Sequence, residues 1–146
     1  MRLVNNFDRN MNRKHLPGLF SVLGLAAAAF AAAVDVSKIP PASTRKDVTF
    51  QKDIKPIFDK ACVSCHGEVK PKGKLRLDSL EATLKGGVDG KVIEVGDSAK
   101  SILVHNIAFV GNEDEFMPPP DNKEKIKPLT KEEIGLVRAW IDQGAK

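Results

Sequence analysis

Cys62, Cys65 and His66 stand within the stretch ACVSCHGE, residues 61–68, at a spacing with a specific chemical use. Two thiols three residues apart can reach the two vinyl groups on one edge of a haem and form two thioethers. The residue after the second thiol is then placed under the iron, where its imidazole supplies an axial nitrogen. C-x-x-C-H is the attachment signature of haem c, and it predicts one covalently bound haem. Other uses of the two cysteines fit less well. A structural zinc site takes four ligands, whereas the chain has two cysteines, and His15 and His105 show no paired ligand spacing. A thioredoxin-like pair belongs near a βαβ pattern, which is not found here. A disulfide between Cys62 and Cys65 closes too short a loop to hold a domain together.

Met117 is the second residue with candidate iron chemistry. It lies in GNEDEFMPPPDNKEKIKP, residues 111–128, an irregular segment of a length that is usually functional or disordered. Three prolines follow it and restrict the backbone, so Met117 is held in a stiff loop rather than on a helix face. Methionine more often fills core gaps, but the prolines and the absence of helical periodicity speak against that use here. The rival ligand is His105, which would make the haem bis-histidine. Its plainer reading is an imidazole on a helix surface or facing a propionate. A His/Met pair raises the reduction potential relative to bis-His, and two filled axial positions suit electron transfer better than catalysis.

The elements that position these residues belong to a chain of 146 residues, one domain by size, with 42% hydrophobic and 29% charged residues. The net charge of +4 is concentrated early: Arg2, Arg9, Arg13 and Lys14 against Asp8 leave the remainder at only +1. No basic stripe interleaved with aromatics survives that subtraction, which excludes a nucleic-acid binder. Residues 1–33 read as a secretory signal peptide. Arg13 and Lys14 close a basic region, Leu19 to Ala33 is apolar, and A-x-A patterns predict cleavage near Ala33–Val34. Met11 is an alternative start. Retained as an anchor, the 15 apolar residues would span only about 23 Å of a roughly 30 Å membrane core. An uncleaved membrane tether is therefore the alternative to release into the periplasm, and no stable membrane insertion is expected after cleavage. Residues 34–47 hold Pro40, Pro41 and several hydroxyls without apolar periodicity, and read as a flexible linker before a domain at 48–146.

Within the domain, Phe50, Ile54, Ile57 and Phe58 recur at helical spacing from Thr49 to Lys60. Pro56 either kinks this helix or sits in its first turn, and in both cases the helix delivers Cys62 to the haem edge. A loop around Pro71 and Gly73 follows, from which one backbone carbonyl should accept the Nδ1–H of His66. Asp78 or Ser79 caps a short helix to Lys85, closed by Gly86-Gly87, and Asp89-Gly90 marks a turn. Val92, Ile93 and Val95 form a small extended segment. Asp97 or Ser98 then caps a helix through Ile107, with Ile102, Leu103 and Ile107 inward. The last helix is the clearest. Thr130 and Glu133 form a capping box, Leu129 can staple on Ile134, and Ile134, Val137 and Ile141 share a face widened by Leu136 and Trp140. Trp140, the one tryptophan in a chain without tyrosine, is the largest side chain available to pack against the first helix.

The blocks DIKPIFDKACVSCHG, GKLRLDS, LKGGVDGKVIEVGDSAKSIL, FMPP and LTKEEIGLVRAWIDQGA resemble the planctomycete-type cytochrome c domain, a class I c-type cytochrome. The resemblance covers about residues 48–145. It implies a small all-α fold of three to five short helices around one haem, with the first and last helices crossing beside it. It also implies His and Met axial ligands, on this chain His66 and Met117, and single-electron transfer to redox partner proteins such as an oxidoreductase or terminal oxidase. No acid/base pair, nucleophile triad or phosphate loop points to ordinary enzyme chemistry. The alternative function is a haem enzyme or a gas or redox sensor with a labile or vacant sixth position.

Overall fold

The computed structural model of the chain describes residues 34–69 and 71–146; the signal-peptide reading of 1–33, with Met11 and His15, lies outside them. The described chain is all-α. Five α-helices run in order as α1 Lys55–Ala61, α2 Val63–His66, α3 Leu80–Lys85, α4 Ile102–Ile107 and α5 Lys131–Asp142, with short 3₁₀ turns between them. Among the described residues β pairing is confined to one bridge, Gly87 to Gly90, at the turn expected there. None of their helices is long and apolar enough to cross a membrane.

Pro56 decides how the first helix begins. It has no N–H to donate to Lys52, so a regular α ladder cannot run through it. The chain from Phe50 to Ile54 instead makes a wider π-type turn, in which the Lys55 amide donates to the Phe50 carbonyl, and α1 starts with Pro56 in its first turn. This arrangement keeps Phe50, Ile54, Ile57 and Phe58 buried on one side. Against them lies α5, whose capping box is formed as expected. The Glu133 amide donates to Thr130 Oγ1 at 3.2 Å, and the Thr130 amide donates to Glu133 Oε2 at 2.8 Å. Trp140 is fully buried, with ring centroids 5.7 Å from Phe50 and 6.4 Å from Phe58, the latter edge-on. Lys60 Nζ reaches Glu133 Oε1 at 2.6 Å and ties the exposed ends of α1 and α5.

Two expectations change. Ile102, read as inward, is exposed, and the buried face of α4 is Leu103, Val104 and Ile107. Asp97 does cap, but the turn that it caps is a 3₁₀ turn, Ser98–Lys100. Ser101 is extended, and α4 restarts after it in a new register. The Ser98 turn is fastened to α5: its amide and hydroxyl donate to Asp142 Oδ1 and Oδ2 at 2.7 and 3.0 Å.

The stretch 34–47, read as a flexible linker, lies along α5. Ser43 donates its amide to the Gly135 carbonyl at 2.8 Å, Gln143 Nε2 donates to the Arg45 carbonyl at 2.9 Å, and Arg138 donates to the Pro40 carbonyl. Ile39 is buried beneath it. Arg45 also pairs with the buried Asp53 carboxylate at 2.6 Å, while the Thr49 amide donates to the same group at 2.8 Å. The Thr49 bond, then the Arg45 charge, hold Asp53 below its ordinary pKa although burial acts in the opposite direction. Composition alone misses this strap because its partners, the Gly135 carbonyl and the Arg138 and Gln143 side chains, lie far along the chain.

Gly135 is where the strap comes closest. A Cβ there would lie 2.8 Å from the Pro41 carbonyl oxygen, closer than real side chains approach. Gly135→Ala should therefore destabilise the protein by up to about 2 kcal/mol: overpacking of roughly 1–3 kcal/mol is offset in part by alanine's helix-propensity gain of about 1 kcal/mol. Urea unfolding midpoints measure the difference, and a stabilised variant would show that the strap is not seated on α5.

Candidate functional site

α1 ends at Ala61 because Cys62 leaves helical geometry, with φ −126°, and α2 restarts immediately as one turn. The Cys65 and His66 amides both return to the Cys62 carbonyl, at 3.1 and 2.8 Å. Both thiols and the imidazole are thus gathered on one tight turn. Gly67 is required directly after His66, since a Cβ there would meet the Val63 carbonyl oxygen at 2.6 Å.

The chain then loops back over His66 and clamps it twice. Its carbonyl accepts the Leu77 amide at 2.8 Å, and its Nδ1 donates to the Leu75 carbonyl at 3.2 Å. Leu75 is the residue just past the Lys72–Lys74 turn, so the acceptor expected in the loop comes from the loop's far end. A carbonyl can only accept, so Nδ1 carries the proton and Nε2 is the ring nitrogen left for a metal. Burial lowers the His66 pKa despite the Leu75 bond, which keeps the imidazole in its neutral, ligating form. Outside this clamp Arg76 turns away, forking onto Asp78 at 3.0 and 2.6 Å.

Both cysteines are free. Burial first, and the neighbouring Cys65 second, push the Cys62 thiol up to about 12. A thiol held that high is a poor redox nucleophile, which weighs against the dithiol reading.

Cys62, Cys65, His66 and Met117 all line one cleft that opens to solvent. Its walls are apolar, from Leu75, Leu77, Leu103, Ile107 and Leu129. Met117 reaches it from the 111–128 loop, its amide donating to the Asn106 carbonyl at the end of α4 at 3.1 Å. The preceding Phe116 ring packs edge-on against Phe109 with centroids 5.1 Å apart. His105 does not line the cleft. Its Nε2 donates to the Ala99 carbonyl at 2.6 Å, and the ring faces a separate groove beside Phe109 and Asn112. Two polar lining residues escaped the sequence reading, Asn106 and Asn122. For Asn122 a signal existed: Pro-Asp-Asn after a proline run is turn chemistry. The donor set fits a haem c: attachment thiols, a neutral imidazole with one uncommitted nitrogen and a thioether share one apolar cleft.

Residues 62–121 match the family model for planctomycete cytochrome C. That stretch is a planctomycete cytochrome c domain. The match starts at Cys62 and ends just beyond Pro120, so it contains all four candidate haem-contacting residues. A cytochrome c domain implies haem c and the role of a haem-binding electron carrier, and such domains are typically exported. No curated protein and no solved structure matches the chain.

Proposed function

We propose that the chain is a periplasmic electron carrier holding one haem c, covalently bound to Cys62 and Cys65 and ligated by His66 and Met117. The observation that carries this reading is the shared cleft, in which His66 has its Nδ1 committed to Leu75 and its Nε2 uncommitted. When bound, the haem supplies a one-electron iron couple. His66 is oriented by the Leu75 and Leu77 backbone, which resists rotation of the ring as the iron changes charge. Met117 offers a soft thioether that favours the reduced metal. The apolar walls exclude water and limit reorganisation around the centre. With His66 and Met117 both holding the haem, no position on the iron would be left for substrate, which suits a carrier or electron-entry module rather than an enzyme. Its partners are redox proteins, an oxidoreductase or a terminal oxidase. The basic, apolar and A-x-A pattern before Val34 supports export, with residues 48–146 as the cytochrome domain.

The test is the spectrum of the oxidised, haem-loaded protein. It should show the weak near-infrared sulfur-to-iron band. Met117→Ala should abolish the band and lower the reduction potential, while His105→Ala leaves both nearly unchanged. A wild type without the band, opened to external ligands by His105→Ala, overturns the ligand assignment.

A further inference from the structure

We infer that Asn122 is a positioning residue that holds Met117 on the iron; the inference rests on the ligation proposed above. The two sides of Met117 are held differently. On its N-terminal side, its own amide is anchored to Asn106 at 3.1 Å and Phe116 is packed on Phe109. On its C-terminal side stand Pro118, Pro119 and Pro120, none of which has an amide hydrogen to donate. No regular structure takes over before α5.

Asn122 supplies what the prolines cannot. Its Nδ2 donates to the Pro119 carbonyl at 2.9 Å and to the Ile126 carbonyl at 3.2 Å, and its Oδ1 accepts the Ile126 amide at 2.6 Å. Its own amide donates to the Pro119 carbonyl at 3.1 Å, and its carbonyl accepts the Lys125 amide at 3.2 Å. Among the described residues, every hydrogen bond of the 117–128 segment other than that of Met117 itself involves Asn122. One side chain therefore joins the outgoing and returning limbs of the loop. Pro119, Asn122 and Ile126 line the same cleft as Met117, so the brace sits at the site. The charged residues between them, Lys123 to Lys125, are exposed.

The physical consequence follows from the weakness of a neutral thioether ligand. Its hold on iron depends on how little freedom the loop must surrender to present the sulfur, the gain from preorganisation. Without the brace the haem stays attached through its thioethers and His66, but Met117 competes poorly with an external ligand.

The experiment uses full-length, haem-loaded ferric protein titrated with imidazole, with Soret shift and near-infrared absorbance as readouts. Asn122→Ala should tighten imidazole binding by about tenfold, the scale of losing one or two hydrogen bonds. Asn122→Asp keeps the acceptor for Ile126 but turns an anionic oxygen onto the Pro119 and Ile126 carbonyls, so its effect should be at least as large, about tenfold or more. Gly135→Ala, which strains the strap seat on α5 and lies outside the cleft lining, should lower stability without changing imidazole affinity, separating positioning from general destabilisation. If Asn122→Ala does not accumulate, Asn122→Asp decides, and no increase there overturns the inference. A wild type with the sulfur band and an Asn122→Ala variant within twofold of it overturns this inference alone. A wild type without the band overturns the Met117 assignment and this inference with it.

Discussion

Replacing Cys62 and Cys65 together by alanine should remove haem from the denatured chain. The unmodified protein, expressed with haem-maturation machinery, should retain its haem through denaturing extraction and have the mass of the chain plus one haem. The double variant should show neither, because its remaining contacts are His66, Met117 and apolar walls, none of them covalent. The reason for a large effect is geometric. Both thiols lie on the single turn between α1 and His66, with the Cys65 and His66 amides closed onto the Cys62 carbonyl at 3.1 and 2.8 Å. In the proposed function, the same few backbone bonds would set both attachment and proximal ligation. Wild-type protein that emerges haem-free and zinc-loaded from such an expression would sink the assignment.

Trp140→Ala should cost the haem-loaded protein about 3–5 kcal/mol, the range for truncating a buried aromatic. Trp140 is fully buried between α5 and the start of the domain, within 5.7 and 6.4 Å of the Phe50 and Phe58 rings. Its Nε1 donates to the Lys146 carbonyl at 3.0 Å, the same oxygen that accepts the Phe50 amide at 2.7 Å. The variant therefore loses packing and also a polar tie at the point where the chain end meets the first helix. Denaturant unfolding of the holo protein measures the cost. A loss below about 1 kcal/mol would mean that Trp140 is not a core residue.

What the sequence determined by itself is what neighbouring residues decide among themselves. The C-x-x-C-H turn needs only adjacent positions, and it appears as one turn with all three side chains on one cleft. The Thr130–Glu133 box closes within its own first turn, and Ser79 caps α3 by accepting the Ala82 amide at 3.4 Å. The inward stripe of α5 follows from helical period, and Ile134, Val137, Trp140 and Ile141 are buried accordingly. Met117 was legible as a loop residue because its prolines announce one.

Tertiary structure alone decided the rest. The carbonyl that fixes His66 is Leu75, chosen by how the chain returns over the ring. Ile102 faces outward because Ser101 interrupts the helix and resets its register. Residues 34–47 became a strap because Gly135 leaves room for Pro41 and offers Ser43 a carbonyl. His105 is withdrawn from the cleft by a bond to Ala99, and Asn122 enters it by bracing Pro119 and Ile126. Side-chain type and spacing encode local hydrogen bonds and periodic faces. Which backbone carbonyl meets which distant donor depends on how the packed elements come together, and every residue carries the same carbonyl.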